Sequence, residues 1–144
     1  MSKINLLVIT EKWIDGLEER GPSCSQHNIN STLEISDLVD PMYLYFDEIY
    51  KKNYRKVDDT IIDHLDTSEK PDAVLVQLIY NHHTNPTNRL FEEIKDRGIP
   101  LLFSWPDSRG PWVKEKIKEL RRLANQTKRF SKAELEEVIK TYQV

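Results

Sequence analysis

The sequence predicts an α/β protein: a three-layer α/β/α sandwich built on a mainly parallel, Rossmann-like sheet, with a helical C-terminal tail. Three observations carry this. Four mostly apolar runs of strand length, 4–10 (INLLVIT), 42–50 (MYLYFDEIY), 73–80 (AVLVQLIY) and 100–105 (PLLFSW), punctuate the chain, as strands covered on both faces do. Segments with helical periodicity and helix caps separate them. Alternation of the two implies right-handed crossovers between parallel strands.

Composition agrees with one such domain. The chain has 144 residues, 38% hydrophobic and 31% charged, enough for a single core. Residues 1–130 are expected to form the domain and 131–144 a C-terminal helix packed on it. No apolar run approaches the roughly 20 residues of a membrane span, and the chain opens without a signal peptide's apolar region. The single cysteine, Cys24, excludes an internal disulfide and fits a reducing compartment. A cytoplasmic location is therefore expected.

The elements can be read in order. After the first strand comes a long polar stretch broken by Gly16, Gly21 and Pro22. Ser31 and Glu34 have the spacing of a capping box ahead of Leu33, Ile35, Leu38 and Val39, and Asp40-Pro41 ends that helix. The aromatic run from Met42 reads as the second strand, its later part also compatible with a helix. Val57, Ile61, Ile62 and Leu65 share a helical face. Asn85 has the chemistry of a cap, Pro86 that of a first helical position, and Gly98 lies just past the end. Beyond Pro111, the residues Val113, Ile117, Leu120 and Ala124 align. Ser131 and Glu134 open the last helix, with Leu135, Val138, Ile139 and Tyr142 on one side.

In an open parallel sheet, ligands bind beyond the carboxyl ends of the strands. Polar side chains gather there: Thr10 to Trp13 and the loop with Ser23, Ser25 and His27; Asp47 and Glu48; Asn81, His82, His83 and Asn85; and Trp105, Asp107, Ser108 and Arg109. A first loop of about twenty residues exceeds the roughly 2–6 typical of such connections and suggests a functional role. No G-x-G-x-x-G or G-x-x-x-x-G-K-[ST] is present, so dinucleotide and P-loop chemistry are not indicated and no cofactor is expected. The third strand lacks the terminal Asp of a phosphoacceptor site, and TEKWIDG is a poor flavin phosphate loop. Adjacent histidines on an extended segment point opposite ways, so His82 and His83 do not read as a metal pair. One of them suits a hydroxyl contact or a base near neutral pH.

The pieces KINLLVIT, KPDAVLVQLIYNHH and LFEEIKDRGIPLLFSWPDS together resemble the N-terminal, acceptor-side domain of GT-B-fold glycosyltransferases, of the glycosyltransferase-4-like and CgeB-like kind. The matching positions are Pro71-Asp72, Gly98-Ile99-Pro100 and Trp105-Pro106-Asp107, and the resemblance covers about residues 1–112. It implies transfer of a sugar from a nucleotide-sugar donor to a hydroxyl acceptor. Asp107 and His82 would be catalytic, orienting or deprotonating the acceptor. Trp13, Ser23, Ser25, His27, Asn81, His83, Asn85, Trp105, Ser108 and Arg109 would line the substrate site. The donor-binding second domain has no counterpart here, so a partner chain or a further domain would supply it. The alternative is a stand-alone Rossmann-like module binding an anionic small molecule or a protein.

Charge is uneven. Between Arg109 and Lys132 nine basic residues face two acidic ones, within a chain of net charge −3. That segment allows at most a peripheral electrostatic contact with a membrane. Nucleic acid is not an expected partner, because the remaining surface is acidic.

Overall fold

The computed structural model describes residues 3–53, 56–78, 84–104 and 111–128, together with 133, 134 and 137. Five strands, β1 (Ile4–Thr10), β2 (Val39–Tyr45), β3 (Ala73–Gln77), β4 (Leu101–Ser104) and β5 (Gln126–Lys128), form one sheet in the order β2-β1-β3-β4-β5. Every pairing is parallel. The helices are α1 (Ser31–Ile35), α2 (Phe46–Lys52), α3 (Val57–Thr67), α4 (Asn88–Asp96) and α5 (Pro111–Leu120). The chain is thus an α/β protein of Rossmann-like type.

The two faces of the sheet are set by strand parity. Leu7, Ile9, Val74, Val76, Leu101 and Phe103 face α2 to α5, meeting Phe46, Ile61, Leu65, Leu90, Phe91, Ile94 and Leu120. Ile4, Leu6, Val8, Ala73, Leu75 and Leu102 face the other way, with Leu33 of α1. The chain runs outward from β1 to β2, then crosses back over β1 to β3. Right-handed crossovers in opposite directions put α1 on one face and the later helices on the other.

Several boundaries differ from the sequence expectation. The first helical run is already under way at 24–25 and continues through a π-helical turn, Gln26–Asn30, into α1. Ser31 sits in helical φ/ψ within that run and makes no capping box. Asp40-Pro41 lies inside β2. The edge position explains how: the Ile4 N–H donates to the Leu38 carbonyl at 2.9 Å. Alternate residues Asp40, Met42 and Leu44 therefore turn their backbone groups to β1, and Pro41 turns outward, where no ladder donor is needed. The second strand ends at Tyr45, and Phe46–Lys52 is helix. Thr87, not Asn85, stands at the extended position before α4, which starts at Asn88 instead of near Pro86. Gly98 has φ 71, as a glycine past a helix end should. The fifth strand was not expected, its QTK sequence being short and polar. Of the expected C-terminal helix, Ala133, Glu134 and Glu137 are helical, and its other residues lie outside the described ones.

One device starts two strands. The Asp72 carboxylate accepts the Asn5 N–H at 2.8 Å just before β3, and the Asn125 side-chain carbonyl accepts the Leu101 N–H at 2.9 Å just before β5. Each polar side chain satisfies the first free amide of the neighbouring strand. Asp72 of the Pro-Asp pair thus has a local structural task.

Phe103 is fully buried and meets Phe91 edge-on, ring centres 4.8 Å apart. Phe103→Ala should lower unfolding free energy by roughly 3–5 kcal/mol in urea titrations; a loss below about 1 kcal/mol would show that this pair is not in the core.

Candidate functional site at the carboxyl edge

Register sets the strand ends in one row. Thr10 pairs with Tyr45, Ile9 with Val76, and Gln77 with Ser104, so Thr10 and Gln77 stand at the same level. Residues in register across parallel strands present side chains to one face. Tyr45, Thr10, Gln77 and Ser104 therefore form a polar row on the α1 face, and the backbone of Lys128 continues it beside Ser104. One pleat lower, the same face holds the apolar Val8, Leu75 and Leu102.

The row is buried: Thr10, Gln77 and Ser104 are 0%, 1% and 2% exposed. Above it the π-helical turn delivers Asn30, 3% exposed. Gln77 Nε2 donates to Asn30 Oδ1 at 2.8 Å. Asn30 Nδ2 is buried and, like Arg97 Nε after α4, has no hydrogen-bond partner among the described residues, which costs about 1–3 kcal/mol. The Tyr43 hydroxyl donates to the Asn30 carbonyl at 3.3 Å. Burial and the neighbouring Glu34 carboxylate push that phenol far above its ordinary pKa, keeping it a donor. The centre of the row, Thr10 beside Gln77, lies where strand order reverses between β1 and β3, the crevice in which such sheets take ligands.

Immediately beyond the row the chain is fastened twice. Asp47, 1% exposed, accepts the Lys12 and Glu48 N–H groups on Oδ1 and the Trp13 N–H on Oδ2, all at 3.0 Å. The Glu11 carbonyl accepts from Ser23 Oγ at 3.0 Å and from Gln26 Nε2 at 3.3 Å. Glu11 itself is 6% exposed, and its Oε1 accepts the Gly16 N–H at 3.1 Å. Burial raises its pKa to about 7; the Gly16 bond opposes this, and the nearby Asp47 and Asp15 charges add to it. The Lys12 ammonium lies over the Trp13 and Tyr45 rings, 5.1 and 5.3 Å from their centres.

The sequence-expected residues divide into three groups. Trp13 closes the long loop through a bridge to Pro22 and donates from Nε1 to Glu48. Ser23 is spent on the Glu11 carbonyl, a structural task in place of the expected substrate contact. Ser25 is buried at the start of the helical run, and His27 lies in the π-helical turn. Asn85 is set apart, lining a cleft of about 560 Å³ with Thr87, Arg89, Lys56, Asp58 and Asp59 between the starts of α3 and α4. Asp58 is buried there and bonded to Thr87. The remaining candidates, Asn81, His82, His83, Trp105, Asp107, Ser108 and Arg109, lie outside the described residues. Asn30 and Gln77 were missing from the expected edge, whereas Glu11 and Asp47 were placed at it without a role among the expected substrate contacts. Gln77 did carry a signal, as the one polar residue inside AVLVQLIY.

Other features of the surface are less suggestive. A groove of about 240 Å³ lies at the opposite, amino-terminal edge, between Asn5, Pro41 and the α3–β3 turn. In the basic segment, Lys116, Lys118 and Arg122 are paired with Glu119, Glu115 and Glu92. Among the described residues there is no group of three or more His, Cys, Asp or Glu able to hold a metal, and no helix long and apolar enough to cross a membrane.

The fastened junction has two measurable consequences. Asp47→Ala strands three part-buried amides and should cost about 2–3 kcal/mol; equilibrium unfolding that shows under about 1 kcal/mol would remove Asp47 from its role. Glu11 binds its proton more tightly folded than unfolded. Its contribution is therefore complete below pH 4.5 and lost as pH rises through about 7. Glu11→Gln should erase that decline, a gain on the order of 2 kcal/mol at pH 8, read from unfolding curves at several pH values.

No protein-family model matches this chain and no curated protein matches it significantly, so its function is argued from the geometry of this edge.

Proposed function

We propose that the chain is a Rossmann-like binding module that takes a small hydroxyl-bearing molecule at the β1–β3 crevice. The observation that supports this reading most is the buried polar row with the unpartnered Asn30 amide above it. Apolar side chains would fill those positions at lower cost, so an unsatisfied donor at this depth asks for a reason beyond folding. Together an amide N–H, the Gln77 carboxamide, the Ser104 hydroxyl and the Thr10 hydroxyl oxygen, whose own proton points to the Glu11 carbonyl at 3.4 Å, offer donors and acceptors without a fixed charge. That set matches alcohols, which both donate and accept. Anions fit less well, because the carboxyls of Glu11 and Asp47 stand beside the row.

Acceptor-side glycosyl transfer, implied by the resemblance, is one role for such a module, with a sugar or other polyol as the bound acceptor and the nucleotide-sugar held elsewhere. Its catalytic pair, Asp107 and His82, lies outside the described residues. Binding of the hydroxyl compound is therefore the core of the proposal.

A nuclear magnetic resonance titration with neutral sugars and polyols, set against sugar phosphates and nucleotides, tests it. The Asn30 and Gln77 side-chain amides and the Thr10 and Ser104 backbone amides should respond to the neutral hydroxyl compounds. The double variant Asn30→Leu, Gln77→Met should be more stable than the wild type by about 1–3 kcal/mol and should lose the response. Silence of the row towards every neutral compound, or a destabilised double variant, would sink the proposal.

A further inference from the structure

We propose that the tip of the β1–α1 loop is a pH-sensitive latch, closed while the Glu11 carboxyl is protonated and released when it ionises. The loop stands on two fixed feet. Asp47 holds the Lys12 and Trp13 amides, and the Ser23 N–H donates to the Lys12 carbonyl at 3.0 Å while its hydroxyl holds the Glu11 carbonyl. Between the feet the tip is self-bonded: two 3-10 turns, Ile14–Gly16 and Glu18–Arg20, and an Ile14 N–H to Gly21 carbonyl bond of 3.0 Å. What ties this unit down beside the sheet is the Gly16 N–H, shared between the Trp13 carbonyl at 3.0 Å and Glu11 Oε1 at 3.1 Å.

Glu11 is poorly equipped to carry charge there. A buried carboxylate needs several donors or a cation to offset its lost hydration, and Glu11 has only two backbone donors from the loop tip itself, the shared Gly16 N–H and that of Asp15, which oppose the effect of burial without cancelling it. The groups facing it are Asp47 from α2 and Asp15 from the loop. The nearby cations are engaged elsewhere: Lys12 over its two aromatic rings, and Arg20 in an ion pair with Asp15. Ionisation thus places a third carboxylate beside two, and swinging the tip away admits the water that relieves it. The joints suit that motion. Asp15, Gly16 and Gly21 all have positive φ, at 52, 71 and 85; for Asp15 that conformation costs about 1 kcal/mol, which opening removes. The pKa of about 7 sets the release near neutrality.

Any control of access to the polar row rests on the binding reading above, whereas the latch itself needs no ligand. The test therefore uses the free protein. The side-chain carboxyl carbon of Glu11 is followed by nuclear magnetic resonance against pH, together with amide exchange at Gly16, corrected for intrinsic rates. The carbon should titrate near neutrality, and protection of the Gly16 amide should fall about tenfold through the same midpoint, the equivalent of one pKa unit. In Glu11→Gln, which keeps a carbonyl acceptor but no charge, protection should stay constant. A Glu11 midpoint in the ordinary carboxylate range would overturn the latch. So would flat or rising protection in the wild type, or an unchanged pH dependence in the Gln variant.

Discussion

A single carboxylate sets the course of the chain at the carboxyl edge of the sheet. Asp47 accepts three backbone N–H groups, two from the end of β1 and one from its own helix. Bonds of that kind, with an ionised acceptor, are about twice as strong as neutral ones. Asp47 reaches β1 because α2 begins at the residue after β2, and β2 lies in register with β1 up to Thr10 and Tyr45. The register of two strands thus becomes the position of one side chain, and that side chain sets the direction in which the chain leaves the sheet.

What it positions is at odds with simple folding. The row Thr10, Gln77, Ser104 crosses a face whose buried core is Ile, Leu, Val and Ala, and the Asn30 amide above it lacks a partner among the described residues. The π-helical turn contributes, since one residue inserted into a helix rotates every later side chain about the axis, and such turns are frequent at functional positions. On the other face the apolar core is larger.

The class of fold was legible because it depends on a coarse alternation that survives local errors. Apolar runs of strand length, separated by amphipathic helices, leave few alternatives to a parallel sheet. Elements that broke the coarse rules were read poorly. Asp40-Pro41 looked like a helix stop, although an edge strand tolerates proline wherever its backbone points outward. Gln-Thr-Lys at 126–128 has no apolar run, and it is a strand because β4 had a free edge and Asn125 was there to start it. For the candidate site, spacing placed polar residues at the carboxyl edge but did not show what they bond. Its location beyond the carboxyl ends comes from topology alone, but Ser23 looked like a ligand contact and proved to hold a carbonyl. Asn30 was hidden inside a run expected to start one residue later. Which polar side chain is spent on the backbone and which is left over depends on geometry that spacing does not carry.

The outward-facing proline of β2 reaches beyond its own strand. A sheet is an open polymerisation template: any edge with regularly spaced donors and acceptors can recruit another strand, and then another. Pro41 sits in the middle of that edge with nothing to donate, so an incoming strand would have to leave one of its own carbonyls unanswered. The residue that looked in the sequence like the end of a helix therefore marks where the sheet itself stops growing.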